Sequence, residues 1–428
     1  TLFTQLVAWS ARISHLPLDW VFFLWQLASI FLLLFACWKL ASKCFPDPWG
    51  RWGAVALVAA LLTLPVAGTA LYLLDQYFNP RSLSAFAVLF AIDAMLERKH
   101  LRAALWLLFT GLVHPLMAVF GITYLVLLYL ARKVSPVPAV ASVALSVPLL
   151  SFRQPSPQYL ECLASRRALF LFRWHWYEWL GALAPLVLLW GFSRMARRLR
   201  RPVLVQLSAS MAVFGLVYFA GAVIVSTPHS LVTFIRFQPM RSLFLVYLFL
   251  VLFAGGFLGE FLLKSRPLRW LLLFLPLCTA MLYAQLQLFP ASRHIEWPGA
   301  TPENQWEQAF LWIRGHTPQN AVFALPPRFM AAPGEDNQGF RAIAERSRLS
   351  DPVKDWGVIA LFPGTGLAHT SVAEVDAEQG WNHFRRPDFD RLKRTYGVTW
   401  VVLHHQAAAT SGLPCPYHNP AVAVCRLN

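Results

Sequence analysis

A chain of 428 residues that is 57% hydrophobic and only 14% charged is not a soluble globule, where roughly 25% of side chains carry charge. Its formal charge of +16 would suggest nucleic acid in a soluble protein. Here Lys and Arg gather in short loops between apolar runs, so bilayer topology accounts for them and no nucleic-acid partner is needed. Apolar runs long enough to cross a bilayer recur up to Pro290, which makes this a polytopic membrane protein.

In chain order, residues 1–18 read as the tail of an external loop. Ten apolar segments follow, at roughly 19–41, 52–74, 82–96, 101–113, 115–131, 137–150, 178–193, 203–226, 242–263 and 270–289. The fourth and fifth are short and meet at "GLVHPLMA". Pro115 disfavours helix at His114, which predicts a tight hairpin in preference to one broken helix. The loops after segments one, three, five, seven and nine hold the cations: Lys43 and Arg51, then Arg98, Lys99 and Arg102, then Arg132 and Lys133, then "SRMARRLRRP", then Lys264, Arg266 and Arg269. That alternation predicts an inner-membrane protein with these loops in the cytoplasm. Everything after Pro290 then lies outside, in the periplasm of a Gram-negative cell. With 1–18 also outside, a chain starting at Thr1 without a signal-peptide pattern implies an upstream segment with at least one further span.

Several polar residues fall on the outward side. In "YLLDQYFNPRSLSAF", Asn79-Pro80 predicts a turn, while Arg81 is suited to a lipid phosphate, with Asp75 orienting it or acting as a base. Arg236 and Arg241 bracket "FQPM" and could converge on one anion. His114 is either a further member of that site or a helix-end residue bonded to a carbonyl freed by Pro115. The segment 152–177, ending "ALFLFRWHWYEW", predicts an interfacial helix, with membrane lipid as its partner. Within the spans, Asp93 and Glu260 are the exceptional acids, both near predicted cytoplasmic ends, which argues against a transporter.

After Pro290 the chain turns polar. "TPENQWEQAFLWIRG" predicts a helix with Thr301 as its cap and Pro302 at the first helical position, and Trp306, Phe310 and Ile313 share one face. "AVFAL", "VTWVVLHH" and "AVAVCRL" predict strands, and "RPDFDRLKRTYG" a second helix. The fold class is thus an α-helical polytopic membrane domain (19–290, about ten spans) plus a small α/β soluble domain (291–428). Cys415 and Cys425, the only cysteines of the tail, predict a disulfide in an oxidising compartment. No cofactor motif appears. The scattered histidines, with no HExxH or Cys-x-x-Cys, give zinc little support and leave a divalent metal as an open question.

The stretches "DQYFNPRSLSAFAVLFAIDAMLERKHLRAALWLLFTGLVHPLMAV", "RFQPMRSLFLVYLFL", "QAFLWIRGHTPQNAVFALPP", "GFRAIAERSRLSDPVKDW" and "YGVTWVVLH" resemble the GT-C superfamily of membrane glycosyltransferases and their uncharacterised bacterial relatives. The resemblance covers most of the chain and implies transfer of a sugar from a polyprenyl-phosphate carrier on the outer side. It also implies an acidic catalytic residue in the first external loop. That loop is expected upstream of Thr1, so Asp75 is only a stand-in candidate. Arg81, His114, Arg236 and Arg241 are proposed as phosphate contacts by their chemistry. The alternative is a non-catalytic subunit with a GT-C-like frame, whose soluble domain docks a membrane or periplasmic partner protein.

Overall fold

The computed structural model describes residues 2–133, 167–226, 231, 234–235, 237–290, 292, 294, 297–326, 339–349 and 384–427. The predicted span at 137–150, most of the segment 152–177, Cys162 and Arg236 lie outside these residues. The chain divides into two compact units, with the boundary between Met281 and Leu282.

The first unit is helical. It begins with α1 (Leu2–Ser14), where the sequence predicts only a loop tail, and continues into α2 (Leu18–Cys44). After α3 (Pro48–Ala60), a short hairpin pairs β1 (Pro65–Val66) with β2 (Leu71–Tyr72). Then come α4 (Pro80–Leu96), α5 (His100–Val113) and α6 (Pro115–Lys133). Beyond two 3-10 turns (Arg167–Leu169 and Leu171–Arg173) lie α7 (Trp176–Arg198) and α8 (Pro202–Ser226). A 3-10 turn at Pro239–Ser242 leads into α9 (Leu243–Phe257), which runs on as a π-helical stretch to Leu263, and α10 (Pro267–Leu288) follows. Five of these helices, α3, α4, α6, α8 and α10, start at a proline. Proline fits the first helical position because its fixed φ is helical and no N–H partner is needed there.

Among the described residues, five helices are long and apolar enough to cross a membrane: α2, α7, α8, α10 and the run Pro239–Leu263 containing α9. The predicted ten are not confirmed among the described residues, and the clearest difference is at 52–74. Helix α3 has 13 residues, about 20 Å at 1.5 Å per residue, against roughly 30 Å of hydrocarbon. Pro65 and the left-handed Gly68 (φ +62°) then turn the chain into the β1–β2 hairpin. The segment is apolar because it is packed in protein: Gly68 abuts the Trp174 indole and Ala67 abuts Gly181. The predicted interfacial helix also differs where it is described. Residues 167–173 form 3-10 turns, with Leu171 and Trp174 buried, and α7 starts only at Trp176.

Two glycine-rich stretches let α3 and α9 approach to backbone contact. A β-carbon at Gly53 would overlap the Gly255 carbonyl oxygen, and one at Gly259 would overlap that of Trp49. Small residues permit such contact in membrane helices, where dispersion contacts carry much of the association. The acids within spans are paired at this end. Asp93, 4% exposed, takes Lys39 at 3.0 Å and also Lys43, while Glu260 takes Arg201 through both carboxylate oxygens. Arg201 also lies over the Phe45 ring, beside the end of α2. Just beyond α4, Lys99 and then Lys43 bond the Glu97 carboxylate and hold its pKa down to about 2. Arg81 lies at the opposite end of the same helix α4.

The second unit is an α/β sandwich. Its described elements are α11 (Gln305–His316), β3 (Val322–Ala324), α12 (Phe340–Ala344), β4 (Ser347–Arg348), α13 (Arg386–Tyr396), β5 (Trp400–His404), α14 (His405–Ser411), β6 (Tyr417–His418) and β7 (Val422–Arg426). The sheet order is β4-β3-β5-β7-β6, with β3 parallel to β4 and β5, and β7 antiparallel to β5 and β6. Alternation along β5 and β7 sends Trp400, Val402, Val422 and Val424 to a core shared with α11 and α12. Val401, Leu403, Ala423 and Cys425 go to the other face, with Phe389 and Leu392 of α13 and Ala407 of α14. Cys425 and Cys415 are joined by a disulfide.

Candidate functional site

The seam at 75–81 is shaped by Asn79. Its side chain caps α4, accepting from Arg81 N at 2.9 Å and Ser82 N at 3.3 Å, while its own N–H donates to Ser82 Oγ. This capping box satisfies donors that a helix start leaves open. The Asn79 amide also donates to Asp75, and Arg81 forms an ion pair with the same carboxylate. Asp75 is therefore engaged through both oxygens. From α2, Gln26 Nε2 donates to the Asp75 carbonyl at 3.0 Å. The guanidinium of Arg81, a residue only 9% exposed, lies 5.7 Å from the Phe244 ring centroid at the start of α9. That contact suits a cation with little access to water.

His114 stands at the tip of an antiparallel hairpin of α5 and α6. Leu107 meets Gly121 across it, and Gly111 meets Ala118, as the sequence predicts and as a single broken helix would not allow. Antiparallel packing of α4 on α5 pairs Phe86 with Phe109 and Phe90 with Trp106. Extending that register sets His114 level with Arg81. The turn that carries Arg241 is at the same end, because the Arg81 guanidinium lies over the ring of Phe244, three residues further along the chain. The His114 Nδ1 accepts the Met117 N–H at 3.4 Å.

Arg241 lies in the 3-10 turn just before α9, one helical turn from Phe244, and is half-buried. Gln238, left-handed at φ 49°, opens this turn, and its carbonyl accepts the Arg241 N–H at 2.9 Å. The structure thus brings together Asp75, Arg81, His114 and Arg241 of the predicted site, at the end of α4 away from Asp93. Arg236 lies outside the described residues. Two arginines and an imidazole beside the Asp75 carboxylate carry the chemistry of an anion site. Among the described residues, no three His, Cys, Asp or Glu side chains are grouped to hold a metal.

Sequence reasoning left out Gln26 and Phe244. An amide inside the apolar run of α2 is a signal that could have flagged Gln26. Phe244 is one aromatic among many, and nothing local marks it. No known protein-family profile matches the chain, and neither does any curated protein.

Proposed function

We propose that the chain is an inner-membrane protein with a GT-C-like frame that binds a polyprenyl-phosphate-linked sugar at its Arg81–His114–Arg241 cluster and transfers the sugar on the periplasmic side. The observation that carries this is the convergence of two arginines and a histidine from separate helices, at the end of α4 remote from the Lys/Arg-rich loops. By the loop-charge argument that end is the outer one, and the C-terminal unit is periplasmic. A phosphate there would be gripped by guanidinium forks and by the imidazole, which would also stabilise it as a leaving group.

A second reading rests on Asp75. Both of its oxygens are taken by Arg81 and Asn79, so it positions the arginine and is poorly placed to act as a base. That favours a non-catalytic membrane subunit with the same phosphate site, whose C-terminal unit docks a protein partner. The test uses the full chain in nanodiscs with a polyprenyl phosphate as probe, and the neutral polyprenol and inorganic phosphate as controls. Arg81→Ala and the half-buried Arg241→Gln should each weaken binding of the lipid phosphate by roughly tenfold or more, the worth of a charge-assisted hydrogen bond. Undiminished binding in both variants removes the cluster from the reading. Intact binding without turnover of polyprenyl-phosphate sugars selects the subunit.

A further inference from the structure

Helix α1 has three faces. Phe3, Leu6, Val7 and Ser10 turn inward: Phe3 meets the Phe78 ring at 5.0 Å, and Ser10 Oγ accepts from the Trp25 indole at 3.0 Å. Thr4, Ala8 and Arg12 form an exposed column at helical spacing, mostly polar. Beside it, also four residues apart, stand the exposed Gln5, then Trp9, 52% exposed, and Ile13, 81% exposed, so this column turns apolar toward α2. Ile13 is the most exposed large apolar side chain among the described residues.

What covers it is indicated by the next helix. The exposed face of α2 is the stripe Trp20, Leu24, Leu27, Phe31 and Phe35, apolar throughout and on a membrane-spanning helix, so it is the lipid-facing side. Leu16, in the link between the helices, is exposed too, so exposed apolar side chains recur at Ile13, Leu16 and Trp20 on the way from α1 to α2. On α1, Trp9 and Ile13 border directly on the column ending in Arg12. An apolar column beside a polar one, with Trp and Arg at the margin, is the pattern of a helix lying in the headgroup layer.

We propose that α1 is a membrane-interface helix, seated with Trp9 and Ile13 among the acyl chains at the bilayer surface and with Arg12 and Thr4 toward the headgroups and water. Its inner face meets Phe78, which also stacks on Trp25 and lies between Asp75 and Asn79. The lipid surface is thereby in mechanical contact with the turn that carries the anion cluster. This proposal rests on the membrane-spanning helices and stands whether or not the cluster binds a phosphate.

The experiment is collisional quenching of an environment-sensitive fluorophore on single cysteines, Ile13→Cys and Thr4→Cys. The background is full-length protein in which Cys162 and Cys278 are serine, reconstituted in phosphatidylcholine vesicles. A nitroxide near the top of the acyl chain should quench position 13 several-fold more than position 4, and an aqueous quencher should reverse the order. Equal quenching of both positions by the aqueous agent overturns the proposal. So does shielding of position 13 that disappears when the protein is diluted in lipid, because the cover would then be a second copy of the chain.

Discussion

Asp75 accepts from Arg81 and Asn79, and its carbonyl accepts from Gln26, so one residue ties α2, the hairpin and α4 together. Replacing it with Ala leaves a largely buried guanidinium without its counter-charge. The expected cost is roughly 3 kcal/mol, the scale for breaking a buried pair on one side, read as a lower thermal midpoint in nanodiscs. Pairing Asp75→Ala with Arg81→Leu should recover most of that loss; no recovery would show that the two side chains are not coupled. At this scale the sequence was informative where the signal is local. Asn79-Pro80 announces a helix start, and the Pro after His114 announces a break. Gln26 and Phe244 reach the same site across 49 and more residues of chain, and no local pattern encodes such a meeting.

The helices themselves were legible because two simple rules agree: prolines mark their starts, and apolar length marks their extent. The rules part company at 52–74, where hydropathy alone cannot tell a buried hairpin from a span. Pro65 and Gly68 were the available counter-signal. The seat of α3 against α9 is likewise invisible to hydropathy, since it depends on Gly53, Gly255 and Gly259 having no side chain. Gly53→Val would press a branched side chain onto the Gly255 carbonyl and the Gly259 backbone, and neither can move aside without shifting a helix. The expected destabilisation is about 2–3 kcal/mol, with Gly221→Val on α8, which meets nothing nearby, as the neutral comparison. Thermal unfolding of the two variants measures the difference.

For the whole molecule, composition sets an apolar stretch up to Pro290 against a polar one after it, and the structure divides into two units between Met281 and Leu282. The sandwich was readable from alternating strands, but its strand order was not, because β3, β4 and β5 are joined by long connections. In the second unit the Cys415–Cys425 bond closes a loop of sequence separation 10, and such a constraint on the unfolded chain contributes about 2–3 kcal/mol. Reductant should therefore speed proteolysis within 384–427 in the intact protein and leave α2 and α9 untouched; equal rates with and without reductant would count against it. The shortness of α3 has its own effect on the surroundings. Its helical ladder stops with about a third of the hydrocarbon still to cross, and the exposed residues of the turn beyond it include Pro65, which has no amide hydrogen to leave stranded. The depth that α3 does not cover is closed by protein instead: the Trp174 indole sits on Gly68, and Ala67 sits on Gly181 of α7.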